Sequence, residues 1–330
     1  MKVCYIFREK ERNAHSIENL FDAISTAGAK KGIQVEKWYK PLSKLKAIFS
    51  VRKLNADVYH ITGDCYYLAL FLPWRKTIMT IHDIGMYKNH SKTPKRRLFA
   101  FLSFVLPLRV LTVSTVISDL TKNDLVKLLN ADERKLKVIP NPLVLPVRYR
   151  ETPFNSVKPT ILQIGTGDHK NLIGLIEAAK GLNCHLDIIG RPSEMLKERM
   201  KSYQVDYTIS VNLTQEEMID KYYKCDILYF ASLSEGFGLP ILEAQATGKP
   251  VVTSNTEPTK TVCGGGAVLV DPNDHDSIRD ALIKIQTDHK FRNKLVQNGL
   301  DNILKYDLEN ITDQYISLYY EYFLYKGDNK

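Results

Sequence analysis

Short apolar runs alternate along the whole chain with patterns typical of amphipathic helices. In the first half the strand candidates are 2–7, 33–38, 57–61, 76–81, 109–113 and 136–139, and the helix candidates are 16–31, 94–106 and 116–129. In the second half the strand candidates are 160–164, 185–189, 226–230, 250–253 and 267–270, and the helix candidates are 171–182, 214–224, 240–247 and 274–287. This alternation predicts an α/β fold in which helices cover parallel sheets.

A proline-rich stretch that begins at Pro140 separates the two alternations and has the composition of a linker. A chain of 330 residues is also long for one hydrophobic core. We therefore predict two Rossmann-like, doubly wound domains with a cleft between them, over 1–150 and 151–306. A tail helix over 307–330 is expected to pack back on the first domain. Ligands of open α/β sheets bind beyond the carboxyl ends of the strands, which here border the predicted cleft.

The composition is that of an ordinary folded protein, with 44% hydrophobic and 25% charged residues. The five cysteines are scattered without any C-x-x-C spacing, which favours buried free thiols over disulfides or a zinc site. The first residues form a strand pattern and not a signal peptide, and the most apolar stretch, 98–113, is too short to span a bilayer. We expect a cytoplasmic protein.

Charge is unevenly distributed: residues 1–150 carry a net charge of +15 and residues 151–330 a net charge of −6. The first half is either a solvated basic surface or the part that meets an anionic partner, such as an anionic membrane or a phosphate-bearing acceptor. One segment combines cations with aromatic residues. It reads either as a core helix with a charged start or as an interfacial segment, and we favour a mixture in which the apolar residues lie in the core and the basic cluster lies near lipid or acceptor phosphate. It contains Lys92, Lys95, Arg96, Arg97, Phe99, Phe101 and Phe104.

The most informative motif is 234–243, in which Glu235 and Glu243 flank a Gly-Phe-Gly turn that leads into a helix, with Pro240 expected at the first helical position. Gly236 and Gly238 allow close approach of a ligand to the backbone, and the free N–H groups and dipole of the helix start favour phosphate. The two carboxylates could then hold hydroxyl groups on either side of a bound diphosphate. This arrangement predicts a nucleotide-sugar site, although the two glutamates could also be ordinary surface residues.

Two further places carry candidate chemistry. A glycine loop, Gly165-Thr166-Gly167, follows an apolar strand and precedes Lys170, so that its amides and the lysine could neutralise a diphosphate leaving group. His82 and Asp83 end the fourth predicted strand, where they are either an ordinary strand end or part of the site, with Asp83 orienting the His82 ring.

Together these motifs resemble the family 4 retaining glycosyltransferases of GT-B fold. The resemblance is carried by the strand, glycine loop, Lys170-Asn171 and helix, then by 225–244 and 248–252, and it covers nearly all of 160–290. In the first half it is looser and rests on the short motifs 80–83, 112–114 and 138–142.

The resemblance implies a GT-B fold and the transfer of a sugar, with retention, from a nucleotide diphosphate sugar to an acceptor hydroxyl in polysaccharide or glycolipid synthesis. The catalytic residues would be Lys170, which holds the diphosphate, Glu235, which faces the sugar, and His82, which reaches the sugar from the other domain. Glu243 would bind the ribose hydroxyls. The remaining members of the implied nucleotide-sugar site are Gly165, Thr166, Gly236, Phe237, Gly238 and Leu239. Secondary candidates are Asp83, Asn141, which could equally cap the linker, and Ser16.

The chain departs from the family in three places. Thr166 stands where many members have arginine, which leaves Lys170 to neutralise more of the leaving group. Residues 12–16 replace the family's glycine-rich loop after the first strand, and this loop usually borders the acceptor. Lys260-Thr261 stands where the family often has a Pro-Glu pair.

We expect no metal and no other cofactor. The expected partners are a UDP- or GDP-type donor, a saccharide or lipid-linked acceptor and an anionic membrane surface at the inner face of the cell membrane, but no nucleic acid. Two other functions stay open at this point. One is a GT-B enzyme that epimerises or hydrolyses the nucleotide-sugar, and the other is a non-enzymatic basic module that binds membrane or nucleic acid.

Overall fold

The structure is a computed structural model that describes residues 1–9, 16–84 and 94–324. It divides into two compact units, of which the first contains Met1–Val144 and Asp307–Lys330 and the second contains Leu145–Tyr306. The division falls inside the proline-rich stretch, a few residues before position 150. Each unit is built on a sheet of six parallel strands flanked by helices, the α/β architecture that the alternation predicts.

The sheet of the first unit has the strand order β2-β1-β3-β4-β5-β6. Its strands are β1 (Lys2–Phe7), β2 (Gln34–Tyr39), β3 (Val58–Ile61), β4 (Thr77–Ile81), β5 (Ser114–Val116) and β6 (Leu136–Val138). The helices between them are α1 (Ser16–Lys30), α2 (Lys44–Val51), α3 (Pro94–Ala100), α4 (Leu106–Val110) and α5 (Asp119–Leu129). The π-helical segment Phe101–Val105 joins α3 to α4. Every residue of β3, β4 and β5 is buried, as expected for central strands of a parallel sheet that helices cover on both faces.

The sheet of the second unit has the order β12-β11-β10-β7-β8-β9. Its strands are β7 (Thr160–Ile164), β8 (His185–Ile189), β9 (Asp206–Ser210), β10 (Ile227–Phe230), β11 (Val251–Ser254) and β12 (Ala267–Val270). Its helices are α6 (Leu172–Ala179), α7 (Glu194–Ser202), α8 (Gln215–Lys224), α9 (Leu239–Ala246), α10 (Thr259–Val262), α11 (His275–Thr287) and α12 (His289–Ile303). The sequence Thr214-Gln215-Glu216-Glu217 has the spacing of a capping box, and Thr214 and Glu217 form this box at the start of α8.

Several elements differ from the sequence predictions. Residues 109–113 are not a strand: α4 ends at Val110, and the strand begins only at Ser114. An apolar run of this length fits a buried helix as well as a strand, and Pro107 is favourable in the first turn of α4. The sequence also did not predict β9, an edge strand whose side chains are mostly exposed and which therefore lacks an apolar signature. The helices that it did not predict are α2, α7, α10 and α12.

The C-terminal helix α13 (Leu308–Tyr319) packs in the core of the first unit. Ile311, Tyr315 and Tyr319 lie in one apolar cluster with Tyr5 of β1 and Phe21 of α1. The aromatic residues of this helix are therefore packing residues. The five cysteines of the chain are buried and unpaired, as the sequence predicts. Every helix within the described residues is too short or too polar to span a membrane.

A buried histidine connects α13 to the first sheet. The Nδ1 atom of His60 lies 2.6 Å from the Tyr319 hydroxyl, and its Nε2 atom lies 2.6 Å from the Thr80 hydroxyl. Burial lowers the pKa of His60 to about 3, because the charged form would lose its hydration. Between about pH 3 and pH 6.5 the His60 ring is therefore neutral in the folded protein but protonated in the unfolded chain.

This shift predicts how acid affects the first unit. The unfolded state takes up a proton near pH 6.5 and the folded state only near pH 3, so the free energy of unfolding should fall as the pH decreases through this window. At pH 5 the loss from His60 should be about 2 kcal/mol relative to pH 7.5. Urea denaturation followed by tryptophan fluorescence measures it, since Trp38 and Trp74, the two tryptophans of the chain, both lie in the first unit. In His60→Gln the difference between the two pH values should shrink by that amount; an unchanged difference would contradict the prediction.

Candidate functional site

The candidate site lies at the carboxyl edge of the second sheet, where the loops after β7 and β10 meet. These strands are parallel neighbours, so their loops leave the sheet side by side. The backbone N–H of Leu233 donates to the carbonyl of His169 at 2.8 Å and holds the two loops together. This edge brings the glycine loop that follows β7 next to the acidic motif that follows β10.

Lys170 and Glu235 form an ion pair at this edge, with 2.6 Å between Nζ and Oε1. The side chains keep 22% and 12% of their accessible surface, so the pair is only partly shielded from water. The Lys170 ammonium also lies 4.9 Å from the centre of the Phe230 ring. Gly165, with φ +88°, leaves room for the lysine stem, since a Cβ at this position would lie 3.0 Å from Cγ of Lys170. Two of the predicted catalytic residues are thus in direct contact.

Asn171 fixes the backbone that carries Lys170. It adopts a left-handed conformation with φ 55° and caps α6, where its side-chain oxygen accepts a hydrogen bond from the N–H of Gly174 at 3.3 Å. Its side-chain nitrogen donates to the carbonyl of Ala231 at 3.0 Å and to that of Pro272 at 2.7 Å. One buried amide therefore connects the loop after β7 to the loops after β10 and β12. Asn171 belongs to a motif that the sequence shows, but the motif alone does not indicate this role.

The Gly-Phe-Gly turn forms the start of α9. Gly238 has φ +118° and is the N-cap residue, and no side chain among the described residues caps this helix. Pro240 is therefore the second helical residue and not the first. Phe237 is buried against Tyr306 with 5.9 Å between ring centres, whereas a Cβ at Gly236 would meet open space. The ring of Phe237 anchors the turn, and the exposed Gly236 leaves space beside it for a ligand.

Glu243 lies one turn into α9 and accepts a hydrogen bond from the hydroxyl of Tyr222. Tyr222 belongs to α8 and is fully buried. Burial raises the pKa of Glu243, and the hydrogen bond from Tyr222 opposes this rise because it stabilises the carboxylate. Tyr222 is a supporting residue that the sequence analysis missed, since it lies 21 positions before Glu243 and in a different element.

Thr166 joins the glycine loop to the loop after β8. Its hydroxyl accepts a hydrogen bond from the N–H of Arg191 at 3.1 Å, and its methyl group lies over Gly190.

One Asp-x-Asp pair, Asp274-His275-Asp276, has a spacing that can serve a metal. Here the carboxylate of Asp274 accepts hydrogen bonds from the N–H groups of Asp276 and Ser277 and caps α11.

The remaining candidates lie in the first unit. His82 follows β4, and its Nε2 atom donates to the carbonyl of Thr62 at 2.9 Å. Burial lowers the pKa of His82, so the ring is neutral and Nδ1 keeps its lone pair. Asp83 is exposed and Asn141 is buried after β6. Ser16 begins α1, but its side chain and residues 10–15 lie outside the described part of the chain.

Comparisons with known proteins agree with this geometry. Residues 149–301, nearly all of the second unit, match the family model of the glycosyl transferases group 1. In the solved structure of Anabaena HepE with UDP and glucose, the match covers 96% of this chain and 99% of that chain, with a TM-score of 0.75 at 14% identity. The protein is a glycosyltransferase of GT-B fold, as the resemblance implied.

Among curated relatives, the chain is 25% identical to O-antigen chain mannosyltransferase B of Escherichia coli over 85% of this chain and 78% of that protein. It is 26% identical to O-antigen chain mannosyltransferase RfbU of Salmonella typhimurium over 69% of this chain and 67% of that protein. Both relatives are transferases, so they give no support to an epimerase, a hydrolase or a non-enzymatic module.

The contacts of Asn171 predict a local stability effect. Asn171→Ala removes the donor from two buried carbonyls and leaves alanine in a left-handed conformation, which together should cost about 2–4 kcal/mol. Hydrogen exchange measured by mass spectrometry should show faster exchange over 165–178 and 228–238. Asn183→Ala is the matched control, because the exposed Asn183 also donates to one carbonyl, that of Val157. Equal exchange in the two variants would refute the role of Asn171.

Proposed function

We propose that this protein transfers a sugar from a nucleoside diphosphate sugar to a hydroxyl group of a growing cell-surface polysaccharide or glycolipid, with retention at the anomeric carbon. The observation that carries the proposal is the Lys170–Glu235 ion pair beside the uncapped start of α9, with Glu243 one turn further along the helix. A cation and free backbone N–H groups suit a diphosphate, and the two carboxylates suit the hydroxyls on either side of it.

Donor binding would redistribute the charges of the site. A diphosphate at the start of α9 competes with Glu235 for the Lys170 ammonium, and the carboxylate that it releases becomes available to hydroxyls of the sugar. As the bond from the anomeric carbon to the phosphate oxygen breaks, negative charge grows on the diphosphate. Lys170 and the helix start stabilise this charge. A diphosphate oxygen takes the proton of the acceptor hydroxyl, and the acceptor oxygen bonds to the anomeric carbon on the face that the diphosphate leaves. Because these groups supply the positive charge, we propose that the reaction needs no metal.

His82 is proposed to contribute from the first unit. Because its Nε2–H group is used by the carbonyl of Thr62, only Nδ1 is left to interact with the donor, and a neutral imidazole nitrogen accepts a hydrogen bond. The natural partner is a hydroxyl of the donor sugar. A neutral ring also avoids placing a second cation beside the anomeric carbon, where positive charge develops in the transition state.

The relatives narrow the substrates. Both O-antigen enzymes are mannosyltransferases, which favours mannose or another hexose as the transferred sugar and a polysaccharide chain on a lipid as the acceptor. HepE was solved with UDP, which favours UDP as the nucleotide, and GDP is the other candidate that the sequence analysis left open. Thermal-shift measurements with UDP, GDP and ADP identify the nucleotide, because only a true ligand stabilises the folded state strongly at concentrations far above its Kd.

Lys170 gives the most direct test of the mechanism. Lys170→Ala should lower kcat by about 10²–10³-fold, the usual effect of removing one group that stabilises charge in a transition state. The assay follows product formation by NMR in buffer with EDTA, which also reads the anomeric configuration. Lys197→Ala is the matched control, since Lys197 forms a 2.7 Å ion pair with Glu194 on the exposed face of α7. A kcat of Lys170→Ala within threefold of the wild type would overturn the role of Lys170, and donor breakdown without acceptor would favour a hydrolase.

Tyr222 tests the assignment of Glu243 to the ribose. Tyr222→Phe removes the hydrogen bond that holds down the pKa of Glu243, so the carboxylate should protonate at higher pH than in the wild type. A protonated carboxyl is the weaker acceptor, and nucleotide affinity should therefore fall more steeply in the variant between pH 8 and pH 6.

Isothermal titration calorimetry with the nucleotide measures this difference. Tyr223→Phe is the control, because Tyr223 is the neighbouring residue and donates to the carbonyl of Arg148, away from Glu243. With 2′- and 3′-deoxynucleotides the difference between Tyr222→Phe and wild type should shrink. If it persists unchanged with both, Glu243 does not bind the ribose.

A further inference from the structure

We propose that the first unit docks on an anionic lipid bilayer through α2 and the segment around α3. We call this the α2–α3 surface. Its apolar residues are Leu42, Leu45, Phe49, Leu98, Phe101 and Leu102, all exposed to solvent. Its cations are Lys44, Lys46, Arg52, Lys53 and Arg97.

Helix α2 has apolar side chains on the face that points away from the core. Ala47 and Val51 are fully buried, and at 3.6 residues per turn Leu45 and Phe49 lie roughly opposite them. Leu45 keeps 69% of its accessible surface and Phe49 keeps 65%. Single exposed apolar residues are common, but two large ones that occupy the solvent face of one short helix require a reason. The sequence pattern had not predicted this helix at all.

The second part of the surface lies on α3 and the π-helical segment that follows it. Leu98, Phe101 and Leu102 point outward, whereas Phe104 is buried in the core. The expectation that the apolar residues of this segment lie in the core is confirmed for Phe104 and wrong for Phe101. The ammonium of Lys44 lies 4.7 Å from the centre of the Phe99 ring, which brings the start of α2 against α3. The two exposed apolar groups belong to adjoining elements.

The charges around these apolar groups favour a bilayer over other partners. Residues 41–53 and 94–110 contain eight lysines and arginines and no aspartate or glutamate. Cations that surround inserted apolar side chains match an anionic membrane, where the acyl boundary takes the apolar groups and the headgroups meet the charges. Nucleic acid would use the cations and stacked aromatics, but it would leave the exposed leucines in water.

The position of the α2–α3 surface in the first unit gives membrane docking a role in acceptor binding. Helix α2 follows β2 and α3 follows β4, so both helices begin at the carboxyl edge of the first sheet, the same edge at which His82 lies. With a lipid-linked acceptor, docking would hold the membrane-anchored headgroup close to this edge. This consequence rests on the proposed function, whereas the membrane contact itself does not.

Flotation of the full-length protein with lipid vesicles tests the surface. The wild type should bind vesicles of phosphatidylcholine with phosphatidylglycerol and bind far less to phosphatidylcholine alone. Leu45→Ser with Phe49→Ser should lower the partition coefficient at least tenfold, because both side chains lose their contact with the acyl boundary. The matched control is Met195→Ser with Leu304→Ser, which replaces two equally exposed apolar residues of the second unit.

The charge contribution is measured separately. Lys46→Gln with Lys53→Gln should lower the partition coefficient about fivefold per charge at low salt, and less at high salt. Lys201→Gln with Lys305→Gln is the control in the second unit. Because all eight replaced side chains are exposed, these variants should keep the thermal stability of the wild type, and this is checked first.

Three results would overturn the proposal: no binding to anionic vesicles, equal loss of binding in Met195→Ser with Leu304→Ser, or no effect of Leu45→Ser with Phe49→Ser. If the lysine variants alone lose binding, and lose it equally for vesicles and for an oligonucleotide, the surface is a polyanion site and not a membrane surface. Nucleotide affinity of the same variants should equal that of the wild type. A wild type that binds vesicles but no nucleotide would contradict the proposed function and leave the surface intact.

Discussion

The candidate site depends on one buried side-chain amide. Asn171 donates to the carbonyls of Ala231 and Pro272 and caps α6 with its oxygen, so three loops at the carboxyl edge of the second sheet share one anchor. Removing a buried amide that hydrogen-bonds several backbone groups is costly, because each of these groups is left buried without a hydrogen-bond partner. This rigidity holds Lys170, the neighbouring residue, within reach of Glu235.

The electrostatics of the site follow from unequal burial. Lys170 and Glu235 are partly open to solvent, so an incoming diphosphate can exchange partners with them at modest cost. Glu243 lies deeper, where burial raises its pKa and Tyr222 keeps its carboxylate hydrogen-bonded. The exposed pair is thus suited to charges that change during the reaction, and the buried carboxylate is suited to fixed recognition of hydroxyl groups. The family match of 149–301 and the geometry of this edge lead to the same class of enzyme.

The first unit combines a closed interior with an open face. Helix α13 contributes Tyr315 and Tyr319 to the core, and the buried His60 joins α13 to the sheet through neutral hydrogen bonds. On the other side, Leu45 and Phe49 remain exposed among cations. An anionic bilayer suits such a surface, because its acyl boundary takes up the apolar side chains and its headgroups pair with the cations.

The sequence by itself determined the α/β class, most strand positions, the capping box at Thr214, the Gly-Phe-Gly start of α9 and the family, because each of these depends on residues close together in the chain. It misplaced β5 and did not predict α2 or β9, because short or exposed elements carry little periodic signal. Only the tertiary structure decided that Lys170 pairs with Glu235, that Tyr222 supports Glu243 and that Asn171 joins three loops. These contacts connect residues that are far apart in sequence, and their geometry is set by the register of a folded sheet, which no local pattern contains.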